Sequence, residues 1–291
     1  MASPRSAVAA CGLLLLTACS HGPSERAGGP LRIVATTTTL ASIARGAVGG
    51  VPDVRSLVPV GVSPEDFQPS PDTIAAVREA DILVENGAGL DGWLDATIHN
   101  AANQRLRIVV CTDGLAVRDG NPHLWMDPEL ARRYAAKVRD AAVETDAPRA
   151  AAYRTAAARY DGVLAALTAR TASKVATIQP ARRTMIVFHN AFDYYARRFG
   201  LRIVGAIEPL AGAEPNPAHM ADLVRLARAQ HVPAVFAEHE YSDKLARALA
   251  ESAGGLKIAF LYDDSLGTAP GVDTYVGMID TDTDAIVSAL R

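Results

Sequence analysis

From residue 31 onward, short β-branched runs alternate with helical periodicity, and a chain patterned this way has few arrangements that bury both. Parallel strands joined by crossover helices are the usual one, because each helix covers a face of the sheet formed by its flanking strands. The strand runs fall at residues 31–36, 54–58, 81–85 and 107–111, with helical patterns at 40–48, 71–79, 90–100 and 128–143. A second set of strands follows at 184–188, 202–207, 234–237 and 257–261, with helices near 191–199, 217–230, 244–253 and 282–290. This predicts an α/β protein of two lobes, each a mostly parallel four-stranded sheet with flanking helices. The 291 residues suffice for two such cores and are short for three.

Between the two sets, Asp146-Ala147-Pro148 reads as a helix start, with Asp as N-cap and Pro in the first turn. Tyr153, Ala157, Tyr160, Leu164 and Leu167 then recur every three or four residues and form one apolar face. Gly162 weakens the middle of this helix. A helix over about 148–174 is roughly 40 Å long and would join the lobes as a stiff spine. The chain thus divides into a lobe at 31–146, a bridging helix at 147–175 and a second lobe at 176–291.

The first residues read as an address. Arg5 precedes an apolar run at 7–16 that is too short to span a bilayer and sits where a secretory signal sits. The run closes on Leu16-Thr17-Ala18-Cys19, which resembles a bacterial lipobox, with cleavage before Cys19 and lipid attached to it. Residues 1–18 are then a signal peptide and residues 19–30, rich in Gly, Pro and Ser, a tether. The expected location is extracytoplasmic, in the periplasm or on the outer face of the cell membrane, held by the lipid alone. With Cys11 and Cys19 so used, Cys111 stands alone at a strand end, where it reads as a small buried hydrophobe. A net charge of −3, from 29 basic and 32 acidic residues, leaves no basic stripe for phosphates, so no nucleic-acid partner is expected. An aromatic content of 5% lends little support to a carbohydrate- or base-stacking surface.

In open parallel sheets, ligands bind outside the carboxyl ends of strands, where loops and helix N-termini converge. Four such exits carry metal-capable side chains: the loop Gly61-Val62-Ser63-Pro64-Glu65-Asp66, the run Asn121-Pro122-His123-Leu124-Trp125-Met126-Asp127-Pro128, His189-Asn190, and Tyr262-Asp263-Asp264. Two come from each lobe, as an ion bound between lobes requires. Singly, a histidine at a strand end is most often a hydrogen-bonded structural residue, and an acid in a polar turn caps a helix. Together, imidazole and carboxylate suit zinc and, with more oxygen, manganese. His21 lies in the tether, His99 and His231 end helices, and His219 lies near a helix start. His239, beside Glu238, is the reserve candidate.

These loops carry a family resemblance. The sequence resembles the solute-binding lipoproteins of ABC importers for zinc and manganese, the cluster A-I or TroA-like group, over nearly all of residues 31–291. The most specific motifs are the run at 121–128 and Phe188-His189-Asn190-Ala191-Phe192; Gly212-Ala213-Glu214-Pro215, Val235-Phe236-Ala237-Glu238 and the segment at 271–279 fit as well. The resemblance implies a non-enzymatic monomer that captures one divalent ion, Mn2+ or Zn2+ with Fe2+ also possible, and delivers it to an ABC permease and its ATPase. It implies His123, His189 and Asp264 as ligands, with Glu238 orienting one of them. The family usually reads Pro-His after the second strand, whereas here Pro64 is followed by Glu65, with Pro69 in the matching place. Glu65 is therefore the expected first ligand; the alternatives are Asp66 turned inward, or a site of three ligands. Residues 112–120 hold no histidine, unlike the His-rich loop of many zinc-specific relatives, which tilts the expectation to manganese or iron. Two other classes of function stay open at this point: a lipid-anchored zinc-dependent metalloenzyme using Glu238 as acid or base, and an adhesin.

Overall fold

The computed structural model describes residues 29–50, 52–208 and 215–291. The signal sequence, Cys19, all of the tether before residue 29 and Gly212-Ala213-Glu214 lie outside the described residues. Among those described, no helix is long and apolar enough to cross a membrane.

The first half runs β1 (Arg32–Ala35), α1 (Thr38–Val48), β2 (Asp53–Ser56), α2 (Pro71–Glu79), β3 (Ile82–Glu85), α3 (Leu94–Ala101), β4 (Arg107–Val110) and α4 (Pro128–Thr145). After α5 (Ala150–Ala176) come β5 (Thr184–Val187), α6 (Asp193–Phe199), β6 (Arg202–Ala206), α7 (Pro217–Ala229), β7 (Ala234–Glu238), α8 (Lys244–Ser252), β8 (Lys257–Leu261) and α9 (Tyr275–Leu290). The two sheets have the same order, β2-β1-β3-β4 and β6-β5-β7-β8, and every pairing is parallel. Central strands β3, β5 and β7 are buried along nearly their whole length, as expected of parallel strands covered by helices on both faces.

Local sequence sets the helix starts. Ser70 and Thr73 form a reciprocal cap with Pro71 in the first turn, while Asp127 before Pro128 and Asn216 before Pro217 each accept a backbone N–H. Three expectations shift, the first being the helix expected at 90–100, which begins at Leu94 after a run of turns. The last helix begins at Tyr275 rather than 282, because Thr274 caps it through the Gly277 N–H and because Asp282, on its buried face, breaks the apolar period. Asp146 does not cap a backbone N–H at the start of the bridging helix. Its carboxylate accepts from the Tyr153 hydroxyl at 2.7 Å and from Arg149 at 2.8 Å, and a short 3-10 turn at Ala147–Arg149 precedes α5.

Helix α5 buries Tyr153, Ala157, Leu164, Leu167, Thr171 and Val175, and packs against α1 and α4 of the first half and α6 and α9 of the second. One continuous apolar core therefore runs from the first sheet through α5 to the second. Polar contacts reinforce the junction: Leu266 N donates to Thr38 Oγ1 at 2.9 Å, Gly61 N to Ser265 Oγ at 2.7 Å, and Tyr275 N to Ser42 Oγ at 2.9 Å.

The turn after β3 positions the loop that carries His123. Asn86, wholly buried, donates to the Pro122 carbonyl at 2.9 Å and accepts from the Tyr134 hydroxyl at 2.9 Å. The next residue, Gly87, has φ +80°, and a Cβ there would lie 2.6 Å from both Thr112 Oγ1 and Val110 Cγ1. Gly87→Ala combines left-handed strain with overpacking, so it should lower unfolding stability by roughly 1–3 kcal/mol, read as a shift in denaturant midpoint at unchanged m-value.

Candidate metal centre

Two histidines meet between the sheets, each aimed by one partner used twice. His123 follows β4 and opens a short 3-10 turn at Leu124–Met126. Asn121 Oδ1 accepts both the His123 backbone N–H and ring Nδ1, each at 2.9 Å, while the Asn121 amide nitrogen donates to the Asn190 carbonyl at 2.6 Å. An amide oxygen only accepts, so Nδ1 carries the proton and Nε2 is presented to the site. His189, at the β5 exit, repeats the device: Glu238 Oε1 accepts its backbone N–H at 3.2 Å and Glu238 Oε2 lies 2.8 Å from its Nδ1. The two Nε2 atoms face each other at 3.2 Å. Partners of this kind fix both ring orientation and tautomer of metal-ligating histidines.

Asp264, from the loop after β8, completes a trio. His123 Nε2 lies 3.4 Å from Asp264 Oδ1, and the donor atoms of His123, His189 and Asp264 all fall within 4.8 Å of one another, every residue buried. Trp125 ties the two loops together by donating its Nε1 proton to the Asp263 carbonyl at 3.1 Å. Neither Asp264 oxygen is closed by a well-aligned hydrogen bond. Such a buried acceptor pair is costly unless a cation or proton joins it.

Buried charges crowd around the trio. Burial alone would push the His189 imidazole down, but Glu238 first and then Asp264 and Glu65 hold it protonated, and its pKa rises to about 10. Burial pushes Asp264 up, yet the His123 contact, the two imidazoles and Ser63 outweigh it and the carboxyl stays below its ordinary value. Glu65 is raised, by burial and then by the Asp264 charge, with His123 and His189 opposing.

Of the residues expected from sequence, His123, His189 and Asp264 converge and Glu238 orients His189. Glu65 is not among the atoms within 4.8 Å, but it faces the trio's charges, and its Oε2 is buried without a hydrogen-bond partner. Asp66 is exposed. His239 is exposed too, stacked on Tyr262 with ring centroids 3.9 Å apart, and burial of its ring lowers its pKa. His99 and His231 are exposed, and His219 reaches the Ala206 carbonyl at 2.9 Å. The sequence reading missed three residues. Asn121 stands out in the sequence only as part of a motif, although its double acceptance sets the His123 tautomer. Asp263 accepts the Asp264 N–H at 2.7 Å and lies 3.6 Å from His189 Nδ1. Glu240 is mostly buried beside Asp264 and Glu238 and pushed up to about 8, burial being the larger cause. The Asp263-Asp264 doublet and the Glu238/Glu240 pair at the exit of β7 are the signals the sequence offers.

A family model described as ZnuA, zinc-uptake complex component A periplasmic, matches residues 33–289. The manganese-binding lipoprotein MntA of Halalkalibacterium halodurans is 29% identical over 274 residues, covering 92% of this chain and 91% of its own length. The iron-binding protein YfeA of Yersinia pestis is 29% identical over 274 residues, covering 91% and 88%. The periplasmic zinc-binding protein TroA of Treponema pallidum superimposes with a TM-score of 0.82 at 22% identity, over 90% of this chain and 100% of that one, and so shares the fold. These matches favour neither the metalloenzyme nor the adhesin. The matched span includes both sheets and every residue of the buried cluster, and the chain belongs to the ZnuA family.

Proposed function

We propose that this chain captures a divalent transition metal, manganese or zinc with iron also fitting, between its two lobes and delivers it to an ABC permease driven by its ATPase. His123, His189 and Asp264 hold the ion, Glu65 supplies the fourth donor, and Glu238 orients His189. The carrying observation is the buried trio of donors within 4.8 Å whose two imidazoles each present Nε2 through a dedicated acceptor. Donors drawn from both halves fit a division into lobes at 31–146 and 176–291 joined by a bridging helix at 147–175. Lipidation at Cys19 would hold the protein at the membrane while leaving this site untouched.

Two imidazoles with two carboxylates suit manganese, which tolerates the higher coordination numbers that bidentate carboxylates allow, although raw affinity favours zinc at almost any nitrogen-oxygen site. The test is competitive titration of the chelator-stripped protein with Mn2+ and Zn2+. One ion per chain is expected, and absence of saturable binding of either rejects the proposal. In the same assay Glu65→Ala should weaken both metals by about tenfold or more, as loss of a ligating or orienting group does. Asp66→Ala should stay within about twofold, the scale of an ordinary surface change. Glu65→His exchanges oxygen for nitrogen and should move the preference towards zinc.

A further inference from the structure

Each histidine of the trio is aimed by a partner on its ring, but Asp264 is not: both of its carboxylate oxygens are buried without a hydrogen-bond partner. Its direction must therefore come from its backbone. The peptide group that joins Asp263 to Asp264 is held on both edges. Its carbonyl accepts the Trp125 Nε1 proton at 3.1 Å, and its N–H donates to the Asp263 side-chain Oδ1 at 2.7 Å. Because a peptide group is planar, two such bonds fix its orientation, and with it the point from which the Asp264 side chain leaves the backbone. Trp125 is buried two residues after His123, so the first bond also ties Asp264 to the loop of a facing ligand in the other half of the molecule. Two residues further on, Leu266 N donates to Thr38 Oγ1 at 2.9 Å. Asp263 is wholly buried, and its Oδ2, 3.6 Å from His189 Nδ1, is too distant to accept a hydrogen bond from it.

We propose that Asp263 is a positioning residue for the metal: its Oδ1 locks the peptide before Asp264, so that the Asp264 carboxylate is presented to the ion opposite His123 and His189. The proposal rests on the metal-capture reading above. Asp263 does not ligate the ion. A side-chain hydrogen bond to Asp264 would occupy a lone pair, whereas a hold on its backbone leaves both oxygens free to bind a metal singly or together.

The experiment titrates the full, chelator-stripped chain with Mn2+ and Zn2+ and records the apo melting temperature alongside. Asp263→Ala removes the acceptor and should weaken both metals by about tenfold or more, in the range seen when partners of metal ligands are lost. Asp263→Asn has nearly the same shape and keeps a carbonyl oxygen for the Asp264 N–H, so it should restore most of the lost affinity. The decisive comparison uses Asp264→Ala as background, where two imidazoles still give Zn2+ a measurable site. There, adding Asp263→Ala should cost no more than about a further twofold, because Asp263 acts through Asp264. A merely structural side chain would show no such dependence on Asp264. Wild-type affinity in Asp263→Ala, no recovery in Asp263→Asn, or the full loss repeated in the Asp264→Ala background overturns the positioning role while leaving metal capture intact. Failure of the wild-type chain to bind either metal overturns both.

Discussion

His123→Ala should weaken metal binding by more than about 100-fold, since even the orienting partners of metal ligands are worth about 10- to 100-fold. His189→Ala should match it and carry a second penalty. It removes the imidazolium that Glu238 faces at 2.8 Å and Asp263 at 3.6 Å, leaving buried carboxylates with no cation beside them. The apo melting temperature should therefore fall in that variant, and in His123→Ala as well, which removes the ring lying 3.4 Å from the buried Asp264 carboxylate. His99→Ala and His231→Ala, both exposed, should change affinity by no more than about twofold. Titration of the four variants with Mn2+ and Zn2+ checks this. Equal losses at all four positions would mean that the buried trio is not the site.

The strand exits were legible because a parallel sheet leaves little choice about where loops gather. The β-branched runs located all eight strands to within a residue or two, and the helix caps at Ser70, Asp127 and Asn216 are written in side chains next to proline. Less legible was whatever depends on residues far apart in the chain. The sequence pattern starts the last helix at residue 282, yet Asp282 lies wholly buried inside α9 with its Oδ1 accepting the Tyr262 N–H at 3.0 Å, so the apolar period fails there and the helix start is misplaced. Within the site, residue type alone separates a histidine from its surroundings but not Glu65 from Asp66. That difference is one of exposure, set by how the loop after β2 is pinned. The pins are the Glu65 N–H on Ser63 and the Trp93 Nε1 proton donated to the Pro64 carbonyl at 3.0 Å, with Phe67 edge-on to the Trp93 ring at 4.9 Å. No spacing rule in a single sequence pairs residue 64 with residue 93.

Metal affinity should rise steeply with pH, while the stability of the metal-free protein should move the other way. Without an ion, the two Nε2 atoms at 3.2 Å can be joined only by a proton, and the surrounding carboxylates hold that proton on His189 up to about pH 10. An incoming ion must displace it. Binding at neutral pH should therefore release about one proton per ion and weaken about tenfold for each unit the pH falls, near a thousandfold between pH 8 and 5. For folding, a histidine with a raised folded pKa contributes stability that is fully present below its unfolded value near 6.5 and is lost as pH rises towards about 10. Glu65, Asp263 and Glu240, whose folded pKa values are also raised, add the same sign: the unfolded chain ionises them first, so the folded chain loses ground as pH rises through the acid range and, for Glu240, up to about 8. The melting temperature of the apo protein should thus decline from these groups between about pH 5 and 9, and the increment produced by saturating metal should widen over the same interval. Calorimetric titration in buffers of different ionisation enthalpy counts the proton, and melting curves with and without Mn2+ at pH 5.5 and 8 give the increment. A proton count of zero, or an increment that does not grow with pH, would mean that the ion does not displace the proton between His123 and His189.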